Sequence, residues 1–297
     1  SICILIYTSG TTGDPKGVLL SQANITSNAH AAMACFPKMD ENDRGLSILP
    51  WAHVFGLAEL VIYCFLGGSI GFAESTTTIA EDLGLVKPTM LTAVPRVFNK
   101  VYDGLWTKMN EEGGLAKALF VMGVESGKKK RELAEQGKSS FMVNLKFKIA
   151  DAIVFEKIRE KLGGRLQGSM TGSAMMNPEI SHFFWDMGIP LYDAYGLTET
   201  SPGATMNGPD KYRIGSIGPV MPRLWHCSAV ILPTPTARPS QTGFSVTMRS
   251  YSSMRFGTGL QNKLLQAMAM ALPCVSTPMG DRALGAAPDA LRIAEDA

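Results

Sequence analysis

Near the start of the chain three hydroxyl residues, Ser9, Thr11 and Thr12, are packed around Gly10 and Gly13, and Asp14-Pro15-Lys16-Gly17 follows. Glycines let a backbone turn tightly and bring its N–H groups close to an anion. Hydroxyls add donors, and Lys16 supplies a compact positive charge. Together these residues make a cradle for a polyphosphate. The spacing departs from the Walker form G-x-x-x-x-G-K-[ST], because Pro15 stands five residues after Gly10. A second constellation, Tyr195-Gly196-Leu197-Thr198-Glu199, stands about 190 residues further on. Tyr195 offers a flat face for a purine, and Gly196 lets a ring approach the backbone. Thr198 can donate to a phosphate oxygen, and Glu199 is a hard oxygen ligand suited to a magnesium ion. Taken alone, the first stretch could be a polar surface loop and the Thr-Glu pair would mean little.

These groups need elements to hold them. Residues 2–6 form an apolar run that reads as a buried strand feeding the glycine-rich loop. Ser21 stands where an N-cap belongs, ahead of a helix over residues 23–36, and residues 37–42 are a polar turn. A short strand over residues 45–49 runs into Pro50-Trp51-Ala52-His53-Val54-Phe55-Gly56. A His between aromatics is by itself more often packing than chemistry, and no second ligand is spaced for a metal. Residues 54–73 are apolar apart from Glu59 and a few small polar groups, but Gly67-Gly68 divides them. A buried helix followed by a core strand is expected there, not a membrane span. Further on, a strand runs into Val94-Pro95 and a helix starts at Arg96.

Residues 106–162 read as mostly helical, with breaks at Gly113-Gly114, Gly127 and Gly137. Ile149, Ile153, Phe155, Ile158 and Leu162 recur at helical spacing and are expected on the core side. After Gly168 a strand leaves through small residues, Asn177-Pro178-Glu179 opens a helix, and Ile189-Pro190-Leu191 leads into the strand that ends at Tyr195. Strand–helix–strand with short loops predicts an α/β fold with a parallel, helix-covered sheet. Ligands in such sheets gather beyond the carboxyl ends of the strands, where Gly172 and Tyr195 both fall.

The totals set bounds. The chain has 297 residues, 45% of them hydrophobic and 18% charged, which suits a folded domain with a substantial core. A net charge of +2 gives no general reason to expect a nucleic-acid partner. Cys3, Cys35, Cys64, Cys227 and Cys274 are scattered and lack a C-x-x-C pair, as expected of reduced thiols in a cytoplasmic protein. The basic run 128–131 is followed by Glu132 and Glu135 and reads first as a solvated helix face. Its second reading is a peripheral contact with acidic lipid headgroups. No signal peptide is visible, the chain opens directly on a strand, and it reads as a fragment cut from something longer. No feature of the sequence sets an oligomeric state.

Residues 7–18, YTSGTTGDPKGV, resemble the phosphate loop of the adenylate-forming enzymes, the acyl-CoA synthetase superfamily. YGLTETSP resembles that family's adenine and magnesium motif, in the family's order and at its distance. The resemblance implies that Thr8, Ser9, Gly10, Thr11, Thr12, Gly13 and Lys16 bind ATP. It makes Gly172, Ser173 and Ala174 one wall of the adenine slot and Tyr195 and Gly196 the other. Asp193 falls where the family places the residue that accepts from the adenine amino group. Lys16, Thr198 and Glu199 become the catalytic residues, with Glu199 also the Mg2+ ligand. Trp51, His53 and Phe55 resemble the motif lining the mouth of the acyl pocket, and TAVPRVFNKVYDGL resembles the long-chain branch. The implied activity joins a fatty acid to coenzyme A through an acyl adenylate, with ATP consumed and pyrophosphate released. Carboxylate and α-phosphate are both anionic, so the work is positioning and charge spreading. No general base is needed, since a carboxylate is already ionised near neutral pH.

Arg213 to Pro222 still fits that family, and the resemblance ends at about Leu224. The Tyr-x-Thr-Gly-Asp ribose motif and the lid domain with its lysine do not follow. Residues 1–224 therefore read as an incomplete adenylation domain with helix-covered sheets, and residues 225–254, rich in Pro, Thr and Ser, as irregular linker. Residues 255–297 read as a short α/β tail resembling the nucleotide-sugar lobe of two-lobed retaining glycosyltransferases, with Gln266 where a Glu is usual. Two readings stand beside the ligase: a nucleotide-binding fragment without turnover, and a nucleotide-sugar transferase resting on the tail alone.

Overall fold

The computed structural model describes residues 1–8, 16–75, 77–222, 230–232, 274–276 and 291–293. The chain opens with an antiparallel hairpin, β1 (Ile2–Thr8) and β2 (Lys16–Ser21), with Thr8 paired to Lys16. Residues 9–15, which carry most of the expected phosphate cradle, lie outside the described residues. Ser21 then starts α1 (Gln22–Cys35) through a capping box. Its hydroxyl accepts from the Asn24 N–H at 3.1 Å, and Asn24 Oδ1 accepts from the Ser21 N–H at 2.8 Å.

Alternating strands and helices follow: β3 (Arg44–Ser47), α2 (Val54–Leu66), β4 (Ser69–Phe72), α3 (Ile79–Val86) and β5 (Met90–Ala93). An outer helical layer comes next: α4 (Pro95–Glu112), α5 (Gly114–Glu135), α6 (Phe141–Ala150), a π turn (Asp151–Phe155) and α7 (Glu156–Lys161). Then come β6 (Gly168–Thr171), α8 (Pro178–Asp186), β7 (Leu191–Gly196), a 3-10 turn (Thr198–Thr200) and β8 (Gly203–Met206). The central sheet has the order β4-β3-β5-β6-β7-β8, parallel throughout except for the antiparallel pair β7/β8. The expected parallel, helix-covered sheet is present, and Ser21 and Asn177 cap helices where expected.

Three further strands are short. β9 (Val230–Leu232) pairs antiparallel with β2, so the stretch expected as irregular linker contributes a strand to the hairpin sheet β1-β2-β9. β10 (Cys274–Ser276) and β11 (Leu291–Ile293) form a parallel pair. The rest of the expected α/β tail lies outside the described residues.

Several expectations change. Residues 2–6 are not buried: Ile2 and Leu5 are exposed, because β1 is the edge of its sheet and β2 takes the inner position. The strand after Gly67-Gly68 is likewise an edge, not a core strand. Gly127 does not break a helix but sits inside α5, where a Cβ would stand 2.7 Å from Asp186 Oδ2 on α8. Close helix contact, not chain reversal, is its role. Ile149 and Ile153 are exposed while Val154, Phe155 and Ile158 are buried. The π turn, which includes Ile153, Val154 and Phe155, accommodates one extra residue and rotates the buried stripe. Nor is the basic run wholly solvated. Lys129 pairs with Glu132 at 3.3 Å, but half-buried Arg131 binds Asp186 across the helix contact, and Lys130 lies 4.7 Å from the centre of the Phe147 ring.

Two cores cover the sheet. On one face Phe98, Phe120, Phe155, Phe183 and Phe184 pack with Leu46, Leu91 and Ala93 beneath α4, α5 and α8. On the other, Phe36, Met90, Met170 and Tyr192 pack beneath α1 and α2. A third cluster, Val18, Leu20, Ile25 and Val54, fastens the hairpin to those same two helices. Among the described residues no helix is long and apolar enough to cross a membrane.

Candidate active site

Residues expected to handle phosphate come from two places in the chain. Thr8 and Lys16 end the hairpin strands, with the Thr8 hydroxyl 3.5 Å from the Lys16 carbonyl. Strand β2 lies alongside the Thr198–Thr200 turn. Ser9, Gly10, Thr11, Thr12 and Gly13 lie outside the described residues.

A residue that sequence reasoning passed over makes the join. Asn28, on α1 and only 3% exposed, donates through Nδ2 to the Thr200 carbonyl at 2.9 Å and to the Gly203 carbonyl at 2.7 Å. Its Oδ1 accepts from the Gly203 N–H at 3.2 Å. One amide thus meets three backbone groups of the segment that carries Thr198 and Glu199, and couples it to the helix that follows the hairpin. The available signal was the pair Asn24 and Asn28, one turn apart, on a face of the helix otherwise lined by apolar residues.

The turn itself is tightly built. The Leu197 N–H donates to Thr200 Oγ1 at 2.8 Å and to the Pro202 carbonyl at 2.9 Å, and the Thr200 hydroxyl also reaches the Pro202 carbonyl. Gly196 is required here for a reason other than ligand approach: a Cβ would stand 1.8 Å from the Pro202 carbonyl oxygen. Thr198 is buried at the start of the turn, and Glu199 and Tyr195 are half-buried. Asp193 follows Thr171 in register on the neighbouring strand. Burial pushes its carboxyl up to about 6, against the pull of the Met176 backbone N–H.

The expected adenine wall is uneven. Gly172 is buried, and a Cβ there would meet the Ala194 carbonyl at 3.2 Å and the Phe55 ring at 3.5 Å. Ser173, with φ of 70°, and Ala174 are exposed beyond it. Phe55, expected at the acyl pocket, is therefore brought against the expected nucleotide wall. Trp51 is exposed, donates from Nε1 to Ser47 Oγ at 3.2 Å, and meets the Phe72 ring edge to face. His53 caps α2: its Nδ1 accepts from the Phe55 N–H at 3.1 Å. An accepting Nδ1 leaves the ring proton on Nε2, which points away from the cap as a donor.

In the sequence Glu59 stands out only as the charge within the apolar residues 54–73. It is 4% exposed, on the sheet-facing side of α2. Neither carboxyl oxygen makes a well-formed hydrogen bond among the described residues, although the Ser47 and Thr92 hydroxyls stand near it. Burial raises its pKa to about 7, and those two hydroxyls pull weakly the other way.

Among the described residues no group of three His, Cys, Asp or Glu is gathered to hold a metal by itself. A magnesium ion that takes one carboxylate and several phosphate oxygens fits this donor set, with Glu199 as the carboxylate.

Comparison with known proteins is consistent across sequence and fold. A sequence family described as AMP-binding enzyme matches residues 1–243, continuing past Leu224. Long chain acyl-CoA synthetase 8 of Arabidopsis thaliana is 36% identical over 233 residues, which cover 74% of this chain and 32% of the relative. Fatty acyl-CoA synthetase A of Dictyostelium discoideum is 34% identical over 220 residues, covering 73% and 32%. The chain thus spans about a third of the length of these relatives. Among solved structures, ATP-bound MatB from Rhodopseudomonas palustris superposes with a TM-score of 0.50 at 22% identity, over 74% of this chain and 34% of that one, a likeness of fold.

Proposed function

The chain belongs to the AMP-binding enzyme family, and from that premise we propose that it serves the ATP-dependent ligation of a long-chain fatty acid to coenzyme A. A carboxylate oxygen of the acid bonds to the α-phosphorus of ATP and pyrophosphate leaves. The thiol of coenzyme A then takes the acyl group from the adenylate and AMP leaves. The observation that carries this reading is the Asn28 clamp, which holds the Thr198–Thr200 turn against the unit that bears Thr8 and Lys16. In this reading the two separated segments, each suited to phosphate, serve one site. The name and 36% identity of long chain acyl-CoA synthetase 8 support a long-chain acid as substrate.

In this reading Lys16 and the hydroxyls of Thr8, Ser9, Thr11 and Thr12 hold the phosphates, and Thr198 donates to an oxygen at the reacting phosphorus. Glu199 holds the magnesium ion, whose charge, when bound, offsets that of the phosphates. Tyr195 lies on one face of the adenine, with Gly172, Ser173 and Ala174 opposite, and the Asp193 carboxylate accepts from its amino group. The Asp193 carboxyl gains a proton as pH falls through about 6, which weakens that contact. Trp51, His53 and Phe55 flank the route of the acyl chain. The large adenylation domain then takes in residues 1–243, with 255–297 a separate tail. The exposed Lys128, Lys129 and Lys130 of α5 serve a peripheral lipid contact.

Two measurements test the proposal. Titration calorimetry should show ATP binding in the presence of Mg2+, weakened about tenfold or more in Lys16→Ala, on the scale of a lost charge-assisted phosphate contact. A protein extending over the full length of its relatives should exchange pyrophosphate into ATP only when a fatty acid is added. No binding and no exchange would overturn the reading. Binding without exchange at any chain length would leave a nucleotide-binding module instead.

A further inference from the structure

Beneath α2 the fold hides a small polar site that the reaction does not use. Phe55, Glu59 and Tyr63 are spaced four residues apart and so share one face of the helix. Phe55 reaches Gly172 at the carboxyl end of β6. Glu59 stands one turn further along, about 5.4 Å deeper. It faces a cavity of about 20 Å3 lined by Met33, Phe36, Met39, Ile62, Met90 and Met170. That volume suits one group the size of a water molecule or a hydroxyl. Both Glu59 oxygens and the Tyr63 hydroxyl are buried there without a hydrogen-bond partner among the described residues, and the Ser47 and Thr92 hydroxyls flank the carboxyl.

A buried acceptor that its flanking Ser47 and Thr92 hydroxyls bond only weakly is costly, and a plain alkyl chain laid against it leaves that cost in place. A chain that carries a hydroxyl at the right depth removes it. Methionines, unbranched and adaptable, are the walls a chain could press aside to reach it. Ser47 also takes the hydrogen bond of Trp51, so the polar site sits directly below a residue expected at the acyl mouth.

We propose that Glu59, with Ser47, Thr92 and Tyr63 around it, is a specificity-determining subsite that selects a fatty acid bearing a hydroxyl group along its chain. The inference rests on the fatty-acid reading above. Discrimination should be large, because a site built to hydrogen-bond a substrate hydroxyl rejects the analogue lacking it more strongly than an apolar pocket rejects an extra methylene.

The test uses the 297-residue chain and displacement of a fluorescent fatty acid by a series of octadecanoic acids with the hydroxyl walked along the chain. One position should bind at least about tenfold tighter than the unsubstituted acid, the scale of a hydrogen bond to a charged group. Glu59→Leu should abolish that preference while leaving affinity for the unsubstituted acid equal or improved. Glu59→Gln, which keeps one acceptor oxygen and the shape of the side chain, should reduce the preference without abolishing it. Melting temperatures of both variants report whether each is folded, and the Gln variant decides the matter if the Leu variant is not. A wild type that favours no hydroxyl position, or a preference that survives either substitution unchanged, overturns the subsite and leaves the fatty-acid reading standing. If no acid displaces the probe, the fatty-acid reading fails and the subsite falls with it.

Discussion

The two faces of the central sheet are made by the same strands yet built from different chemistry. Leu46, Leu91 and Ala93 point toward α4, α5 and α8, where Phe120 meets Phe155 and Phe183 edge to face. One residue away along the same strands, Gly45, Ser47, Thr92 and Met170 point toward α1 and α2, where Glu59, Tyr63 and Asn28 lie buried. Strand alternation makes this division possible, since neighbouring residues face opposite sides. The aromatic face is dry and interlocked and supplies stability. The α1/α2 face keeps polar groups out of water at some cost, and it is the face on which Phe55 and the Thr198–Thr200 turn are assembled. Cost and the proposed function sit on the same side.

Three substitutions can break or sharpen that contrast. The largest effect is expected on the dry face. Phe120 is fully buried, and Phe120→Ala should lower the free energy of unfolding by about 3–5 kcal/mol in a denaturant titration, the range for truncating a core aromatic. ATP affinity of the folded protein should be unchanged. Affinity lost in proportion to stability would mean that the two faces are not separable.

Next comes the pH dependence of the α1/α2 face. The folded pKa of Glu59, about 7, lies above its ordinary value of 4.5. Between those values the folded state binds more protons than the unfolded chain, so stability falls as pH rises through that window and stays low above it. Glu59→Gln should remove about 2 kcal/mol of the fall between pH 5 and pH 8. The same-direction contribution of Asp193, with its pKa near 6, should remain. Tyr63 and Asp43 are the neighbouring acids, and the Tyr63 phenol is itself pushed up by burial and by both carboxylates. Identical pH profiles for wild type and variant would show that Glu59 is solvated and that this face is less costly than its geometry implies.

The smallest loss of stability is expected at the clamp. Asn28→Ala leaves two carbonyls and one N–H of the turn unmatched, for about 1–2 kcal/mol. Its effect on ATP affinity should be disproportionate, near tenfold, because the displaced segment carries Thr198 and Glu199. A variant that loses stability but binds ATP as before would reduce Asn28 to ordinary packing.

Much of this was legible in the residues. Ser21 and Asn177 announced the starts of α1 and α8 because a cap is a local device, satisfied within three residues. The order of strands and helices gave away the parallel sheet, since short connections between alternating elements leave few other arrangements. Phase and exposure were less readable. The π turn at Asp151–Phe155 shifted the buried stripe by a residue, and nothing in its composition says so. Gly127 read as a break because glycine is ambiguous: it permits a turn, and equally it permits two helices to touch. The exposure of β1 follows from its place in sheet order, a property that no residue of the strand carries.

By itself the sequence determined which segments could handle phosphate, purine and a hard cation, because hydroxyls, glycines, Lys16, Tyr195 and Glu199 carry that chemistry wherever they stand. It determined the alternating α/β plan as well, through caps, periodicity and short connections. Only the tertiary structure decided that Asn28 would join segments more than 170 residues apart, that Phe55 would reach Gly172, and that the single carboxylate of α2 would turn inward. Each of those is a contact between elements distant in the chain, and hydrogen bonding and burial at such contacts depend on how the elements dock.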